Sequence, residues 1–187
     1  MCCINSTLHL RQTGYVGDVA EDLWLELWVD ADHGGDCADV RATTGAILIL
    51  RGPNTWFPLS CISKRQTSNS NGSTEAETVA LSHGLRQEAL PTLQLWETLL
   101  GRKVDLRVME DNSGTIAVVE NGYSPQLRHL MKTQKVSIDL VHRVLSPDEL
   151  DLGSLEKVES GEQIADIFTK MLPVHKWACA LELMHIC

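Results

Sequence analysis

The stretch NGSTEAETVALSHGLRQEAL, residues 71–90, predicts a long helix that carries two glutamates on different sides. Successive helical residues are turned by about 100°, so Glu75 falls on a polar strip with Arg86. Glu77 falls on a side richer in small and apolar residues, close to Leu81. We therefore expect Glu75 to face water and Glu77 to face the protein.

Glu77 has two interpretations within this window. Thr74 and Glu77 form the pattern T-x-x-E, in which the glutamate of a capping box bonds to a backbone N–H at the start of the helix. Alternatively, a carboxylate that points into the protein could take part in a site with other acids. The window alone favours the capping box and leaves the second interpretation open.

Three strands are predicted before this helix, over residues 23–30, 45–50 and 55–63. Pro58 lies inside the third, which indicates an edge strand or a bulge. The loop sequence DADHGGDCAD separates the first two strands, and RGPN separates the next two. Connections this short predict an antiparallel meander.

After the helix, which Pro91 should kink or end, strands and helices alternate. We predict a fourth strand over 104–110, a short helix ending near Gly122, a helix within 132–145, a fifth strand over 154–160, and helices within 161–172 and 175–186. This order is typical of a mixed sheet with helices against its faces, an α/β or α+β architecture.

Size and composition indicate one domain, or one domain with short appendages, in a chain of 187 residues. The six cysteines contain no C-x-x-C pair, so we expect free thiols in a reducing compartment and no structural zinc. The chain has no signal-peptide pattern and no apolar run of about 18 residues, so we expect no membrane span and an intracellular, cytoplasmic or nuclear location.

The charge is unevenly distributed along a chain whose net charge is −9. Such a balance argues against a protein that only binds nucleic acid, because those proteins are usually basic. However, residues 121–138 contain Arg128, Lys132 and Lys135 and no acid. This basic stretch could contact phosphates or could be a solvated surface, and charge alone does not separate the two.

Three further acids stand at unusual positions. Asp30 and Asp111 each follow a predicted strand, and strand ends are where sites collect in α/β proteins. Asp166 lies between apolar residues in a predicted helix, where aspartate is unfavourable unless it has a role. Together with Glu77, these carboxylates could converge on hard cations such as Mg²⁺, which prefers oxygen ligands.

Four segments resemble one known family. VDADHGGD, STEAETVAL, EDNSGTIAV and EQIADIFTKMLP are similar, in this order, to motifs in the ribonuclease H domain of copia-type retrotransposon Pol polyproteins. The resemblance covers about residues 23–173. It implies a ribonuclease H-like fold, with a five-stranded mixed sheet flanked by helices. Residues 1–22 would then be a lead-in left from the connection to a reverse transcriptase, and residues 174–187 a C-terminal helix and tail.

The resemblance also implies a site and an activity. Its four acidic positions fall on Asp30, Glu77, Asp111 and Asp166, which would be both catalytic residues and ligands of two Mg²⁺ ions, with Mn²⁺ as a substitute. The implied reaction is endonucleolytic hydrolysis of the RNA strand of RNA–DNA hybrids, and the implied partner is a reverse transcriptase domain in the parent polyprotein. With this support, metal binding becomes the preferred interpretation of Glu77. The residues expected to contact the nucleic-acid backbone are Asn112, Ser113, Arg128, Lys132 and Lys135.

The chain departs from the family pattern at His33, Thr78 and Gln134. An alternative hypothesis is therefore a truncated, catalytically inert transposon remnant that only binds nucleic acid or a partner. A third is a plain structural domain with no site. The presence of all four acids favours the nuclease.

Overall fold

The computed structural model describes residues 9–33 and 41–187. The first eight residues of the expected lead-in, and residues 34–40 of the loop after the first strand, lie outside the described part. The described strands are β1 (Tyr15–Val16), β2 (Trp24–Asp32), β3 (Thr43–Gly52), β4 (Thr55–Arg65), β5 (Leu106–Glu110) and β6 (Ser154–Lys157).

These strands form one mixed sheet in the order β1-β4-β3-β2-β5-β6. The β2–β3 and β3–β4 pairs are antiparallel, which is the predicted meander, and β5 and β6 continue the sheet in parallel with β2. The predicted fold class is thus confirmed. The sheet has six strands and not five, because Tyr15–Val16, in the predicted lead-in, pairs with Thr55–Trp56 of β4.

Pro58 coincides with an irregularity in β4. Leu48 pairs with Ser60 whereas the next residue, Ile49, pairs with Pro58, so β4 has one extra residue there. This is the arrangement of a β-bulge, which tolerates the missing proline N–H. Of the two possibilities predicted for Pro58, the structure has the bulge.

The long helix does not end at Pro91, which was one of the two outcomes predicted there, but it is interrupted by a π-helical segment just before the proline. It consists of α1 (Ser73–Gly84), a π-helical segment (Leu85–Ala89) and α2 (Leu90–Leu100). The Leu90 N–H bonds to the Leu85 carbonyl, so the backbone just before Pro91 follows the wider π pattern. Such a turn shifts the carbonyl partners by one residue, which relieves the clash that proline causes in an ordinary α-helix.

The other helices are α3 (Ser113–Asn121), α4 (Leu130–Thr133), α5 (Ile138–Leu145) and α6 (Val174–Leu183), with 3₁₀ turns at Ala20–Asp22 and Ile164–Phe168. The helix predicted within 132–145 is interrupted at Lys135, whose φ of 60° is left-handed. The helix predicted within 161–172 is only the second 3₁₀ turn. Among the described residues, no helix has the length and apolar character needed to cross a membrane.

Alternation along β2 separates the two faces of the sheet. Leu25, Leu27 and Val29 belong to the main core with Leu81 and Leu85 of the long helix. Trp28, on the opposite face, packs in a second cluster that includes Ile164 and Met184. Asp30 continues the Trp28 side of β2 and is fully buried, so the fold holds this carboxylate between the sheet and the 3₁₀ turn.

Candidate active site and metal centre

Three acids from separate elements meet at one end of the sheet. Asp30 lies near the end of β2, Asp111 directly follows β5, and Glu77 lies on α1. The parallel register pairs Trp28 with Met109, so Asp30 and Asp111 emerge beside each other on the same face. One carboxylate oxygen from each of the three residues lies within 4.8 Å of the others.

Glu77 is the most perturbed acid of this group. Burial, together with the negative charges of Asp30, Glu110 and Asp111, raises the pKa of Glu77 to about 10. Its Oε2 atom is buried and has no hydrogen-bond partner among the described residues. A buried carboxylate oxygen without a donor is costly, and a divalent cation would satisfy it. This arrangement fits a hard cation held by carboxylate oxygens.

The capping-box interpretation of Glu77 is wrong. The helix α1 begins at Ser73 with Gly72 as its N-cap, so Glu77 lies beyond the first turn. Glu75 occupies the third helical position and reaches back instead. Its Oε2 accepts from the Asn71 backbone N–H at 3.1 Å, close to the role of the glutamate in a capping box.

The expectation that Glu75 faces water is also wrong, because its side chain is only 5% exposed. His129 Nε2 lies 3.0 Å from Glu75 Oε1, and the segment that carries His129 covers this face of α1. The start of the predicted polar strip is therefore buried against a distant part of the chain, whereas Arg86, further along it, is exposed. A helical wheel reports which residues share a face but not what covers that face.

Asp166 is connected to the three acids by Lys170, a residue that sequence reasoning missed. Lys170 Nζ lies 2.6 Å from Asp166 Oδ1 and 2.9 Å from Asp30 Oδ1, so one ammonium group joins both carboxylates. The Thr169 hydroxyl donates to the other oxygen of Asp30. The only sequence signal for Lys170 was its i,i+4 spacing from Asp166.

Asp166 and Lys170 shift each other's pKa. Burial and the Asp30 charge raise the pKa of Asp166, whereas its bond to Lys170 opposes that shift. Burial lowers the pKa of Lys170, but the charge of Asp30 and the bonds to Asp166 and Asp30 outweigh it, so the net shift is upward. Lys170 is therefore a fixed positive charge beside the acidic group.

Glu110 is a further buried acid that sequence reasoning missed. It is the last residue of β5, and its Oε1 accepts from the Asn112 N–H at 3.0 Å. Its Oε2 is buried without a partner among the residues described. Burial, with the charges of Asp111 and Asp30, raises the pKa of Glu110 to about 8. The alternation of β5 could have indicated it, since Glu110 follows Leu106 and Val108 on the core face.

The residues expected to contact nucleic acid have different environments. Asn112 is the N-cap of α3 and accepts from the Thr115 N–H at 3.0 Å, so its side chain has a structural role. Ser113, at the first position of α3, is exposed. Three exposed basic residues of the expected set follow further along the chain: Arg128, Lys132 and Lys135.

No protein-family model matches the sequence. The structure is similar to the crystal structure of RNase H1 from the halophilic archaeon Halobacterium salinarum, with a TM-score of 0.51 and 13% sequence identity over 78% of this chain and 93% of that chain. A second similar structure is the N-terminal ribonuclease H domain of a Mycobacterium tuberculosis protein, solved as a fusion with maltose-binding protein. Its TM-score is 0.47 at 14% identity, over 86% of this chain and 97% of that one.

Similarity to the archaeal enzyme at this level of identity shows the fold. The chain has a ribonuclease H-like fold, as its motifs predicted. The copia-type origin and the division into lead-in, domain and tail remain predictions.

Proposed function

We propose that this protein is a metal-dependent endonuclease that hydrolyses the RNA strand of RNA–DNA hybrids. The observation that carries the proposal is the meeting of Asp30, Glu77 and Asp111 within 4.8 Å at the end of a ribonuclease H-like sheet. The similar archaeal structure is named as RNase H1, which supports the same class of reaction. We further propose that the chain belongs to, or derives from, a retrotransposon polyprotein in which a reverse transcriptase domain is its partner.

Asp30, Glu77 and Asp111 would hold a divalent cation, and Asp166 would contribute to a second. Carboxylate oxygens favour Mg²⁺, with Mn²⁺ as an alternative. When bound, such ions stabilise charge on a phosphoryl oxygen and lower the pKa of a bound water molecule. Among these acids, Asp111 and Asp166 are partly buried and could meet a substrate phosphate, whereas Asp30 and Glu77 are buried.

Neighbouring side chains fix the position and the charge of the acids in this site. Asp30 is held from two sides, because the Thr169 hydroxyl donates to one of its oxygens and Lys170 Nζ binds the other. Glu77 keeps its proton until a cation arrives, since burial among like charges disfavours the ionised form. Lys170 offsets part of the negative charge that a phosphate would otherwise meet.

Substrate binding would depend on the backbone and shape of the duplex more than on base edges. Ser113, Arg128, Lys132 and Lys135 are exposed and could contact phosphates. Because the chain has a net charge of −9 and one short basic stretch, we expect it to bind hybrids weakly at physiological salt concentration.

Cleavage of an end-labelled RNA–DNA hybrid, measured with Mg²⁺ and with EDTA, tests the proposal. The matched variants are Asp30→Asn and, as a control, Asp139→Asn, which changes an exposed aspartate on α5. We expect Mg²⁺-dependent products from wild type and from the control, and none from Asp30→Asn. Duplex DNA and single-stranded RNA should remain intact.

Equal cleavage by Asp30→Asn would reject the assignment of the site. Binding of the hybrid in EDTA, with no cleavage in either Mg²⁺ or Mn²⁺, would instead support the inert nucleic-acid-binding remnant.

A further inference from the structure

Glu110 is a buried acid with no part in the proposed reaction. It is the last residue of β5, and 0% of its surface is exposed. Alternation along β5 places it on the same face as Leu106 and Val108, which belong to the main core. A carboxylate is costly in such a place unless its oxygens find partners, so each of the two oxygens has to be accounted for.

One oxygen of Glu110 holds the turn between β5 and α3. Oε1 accepts from the Asn112 backbone N–H at 3.0 Å, and Asn112 is the N-cap of α3. Since the N-terminus of a helix carries partial positive charge, this end of α3 also favours a nearby carboxylate. The bond spans Asp111, so Glu110 fixes the backbone on both sides of that residue.

The other oxygen of Glu110 has no partner among the described residues. Oε2 is buried and makes no hydrogen bond there, as is also true of Oε2 of Glu77. Buried polar atoms are nearly always satisfied, so an orphaned one indicates that a further group binds beside it. An ionised carboxylate only accepts hydrogen bonds, which means that the missing group is a donor.

Glu110 lies beside the three acids that meet at the end of the sheet. The charges of Asp30 and Asp111 act on Glu110, and the charge of Glu110 acts on Glu77. Glu110 is nevertheless outside the group of Asp30, Glu77 and Asp111, whose ligand atoms lie within 4.8 Å of one another. Because side chains alternate along β5, Glu110 and Asp111 point to opposite faces of the sheet. Glu110 therefore borders the acids from the face that α1 covers.

A hydrated cation at the three acids would supply the missing donor. Mg²⁺ keeps several water molecules when proteins bind it, and Mn²⁺ accepts the same kinds of oxygen ligand. Water on such an ion is a strong hydrogen-bond donor, because the ion makes it more acidic. Groups that bond to the ligands of a metal ion typically change its affinity 10- to 100-fold, although they do not touch the ion.

We propose that Glu110 is a positioning residue of the cation site. Its Oε1 fixes the turn that carries Asp111, and its Oε2 accepts a hydrogen bond from a water molecule on the bound cation. The inference rests on the proposed function for the acids that hold the ion, and it does not depend on cleavage.

The test is titration of the protein with Mn²⁺ in the absence of nucleic acid, with free Mn²⁺ measured by electron paramagnetic resonance. In Glu110→Gln the amide oxygen can keep the bond from the Asn112 N–H, whereas the amide nitrogen replaces Oε2 and cannot accept. Glu120→Gln, an exposed position on α3, is the matched control. We expect Glu110→Gln to weaken Mn²⁺ binding about 10- to 100-fold and the control to bind like wild type.

Urea unfolding in EDTA separates this role from a purely structural one. Because glutamine keeps the bond to the turn and removes a buried acid, Glu110→Gln should be at least as stable as wild type when no cation is present. If Glu110 served only the turn, Glu110→Gln would leave the affinity for Mn²⁺ unchanged.

Glu110→Asp distinguishes a positioned acceptor from a general effect of charge. Aspartate keeps the negative charge, but its side chain is shorter by one methylene group. It cannot both bond to the Asn112 N–H and place an oxygen where Oε2 lies. We expect Glu110→Asp to weaken Mn²⁺ binding about tenfold. Weaker binding in Glu110→Gln with unchanged binding in Glu110→Asp would show an effect of charge alone and would overturn the inference.

Unchanged Mn²⁺ affinity in both variants would also overturn it, as would a wild type that binds no Mn²⁺. If Glu110→Gln fails to fold, Glu110→Asp alone decides. Cleavage is a separate measurement. A wild type that binds Mn²⁺ with the help of Glu110 and cuts no hybrid would contradict the proposed function and support this inference. Hybrid cleavage with an Mn²⁺ affinity that does not depend on Glu110 would do the reverse.

Discussion

The Lys170 ammonium group lies 2.9 Å from Asp30 Oδ1, although 140 residues separate the two in the chain. Asp30 is completely buried, whereas the Lys170 side chain is 37% exposed. The lysine therefore reaches from the surface to neutralise a carboxylate that the fold has removed from water. This contact, with the second one to Asp166, stabilises the acidic cluster when no cation is bound.

Replacing Lys170 with methionine should destabilise the metal-free protein, because Asp30 would keep a buried charge without its partner. We expect a loss of about 1–2 kcal/mol, below the usual cost of breaking a buried pair because the lysine is partly solvated. Urea unfolding in EDTA measures it, with Lys176→Met on the exposed surface of α6 as the control. Mg²⁺ should then raise the melting temperature of Lys170→Met more than that of wild type. Equal stability of the two variants in EDTA would contradict this role.

The acidic cluster should make metal-free stability fall as pH rises. The pKa of Glu77 is about 10 in the folded protein and about 4.5 in the unfolded protein. Between these two pH values Glu77 is protonated in the folded state and ionised in the unfolded state, so the free energy of unfolding falls as pH rises. The raised pKa of Glu110, about 8, acts in the same direction. The charges facing Glu77 are those of Asp30, Glu110, Asp111 and Lys170.

Melting temperatures in EDTA from pH 5 to pH 9 measure this dependence. Glu77→Gln, which cannot ionise, should show a flatter profile than wild type, and Glu120→Gln, an exposed position on α3, should not. A wild-type profile that rises with pH over this range would contradict the environment described for Glu77.

Divalent cations should stabilise the folded protein through the three acids that meet. A ligand that binds only the folded state at about 100 times its Kd adds about 2.7 kcal/mol, which is a readily measured shift in melting temperature. We expect Mn²⁺ and Mg²⁺ to produce such a shift in wild type and in Asp139→Asn. Asp111→Asn should lose most of it. A shift that persists in Asp111→Asn would place the cation elsewhere.

Glu75 should matter for stability and not for metal binding. Glu75→Ala removes the acceptor of the Asn71 N–H and of His129, which we expect to cost about 1–3 kcal/mol. His129→Ala should cost less, because His129 is more exposed than Glu75. A double-mutant cycle by urea unfolding measures the coupling between them. A Glu75→Ala variant as stable as wild type would contradict the buried role assigned to it.

The amino-acid sequence by itself determined the class of fold. Alternation in β2 and β3, the short connections around them and the acids at the ends of β2 and β5 are local features, and local periodicity is set by backbone geometry. The motifs around Asp30, Glu77, Asp111 and Asp166 predicted a ribonuclease H-like fold, which the structure has. The sequence did not show, however, that a π-helical segment precedes Pro91 and that the helix does not end there.

Tertiary structure alone decided what covers each surface. Glu75 and Glu77 lie on different sides of α1, yet both are buried, because the sheet covers one side and the segment containing His129 covers the other. The same is true of Lys170 beside Asp30, because the two residues meet only when distant segments pack. Burial and charge at these positions arise from contacts across the fold, and no local pattern contains them.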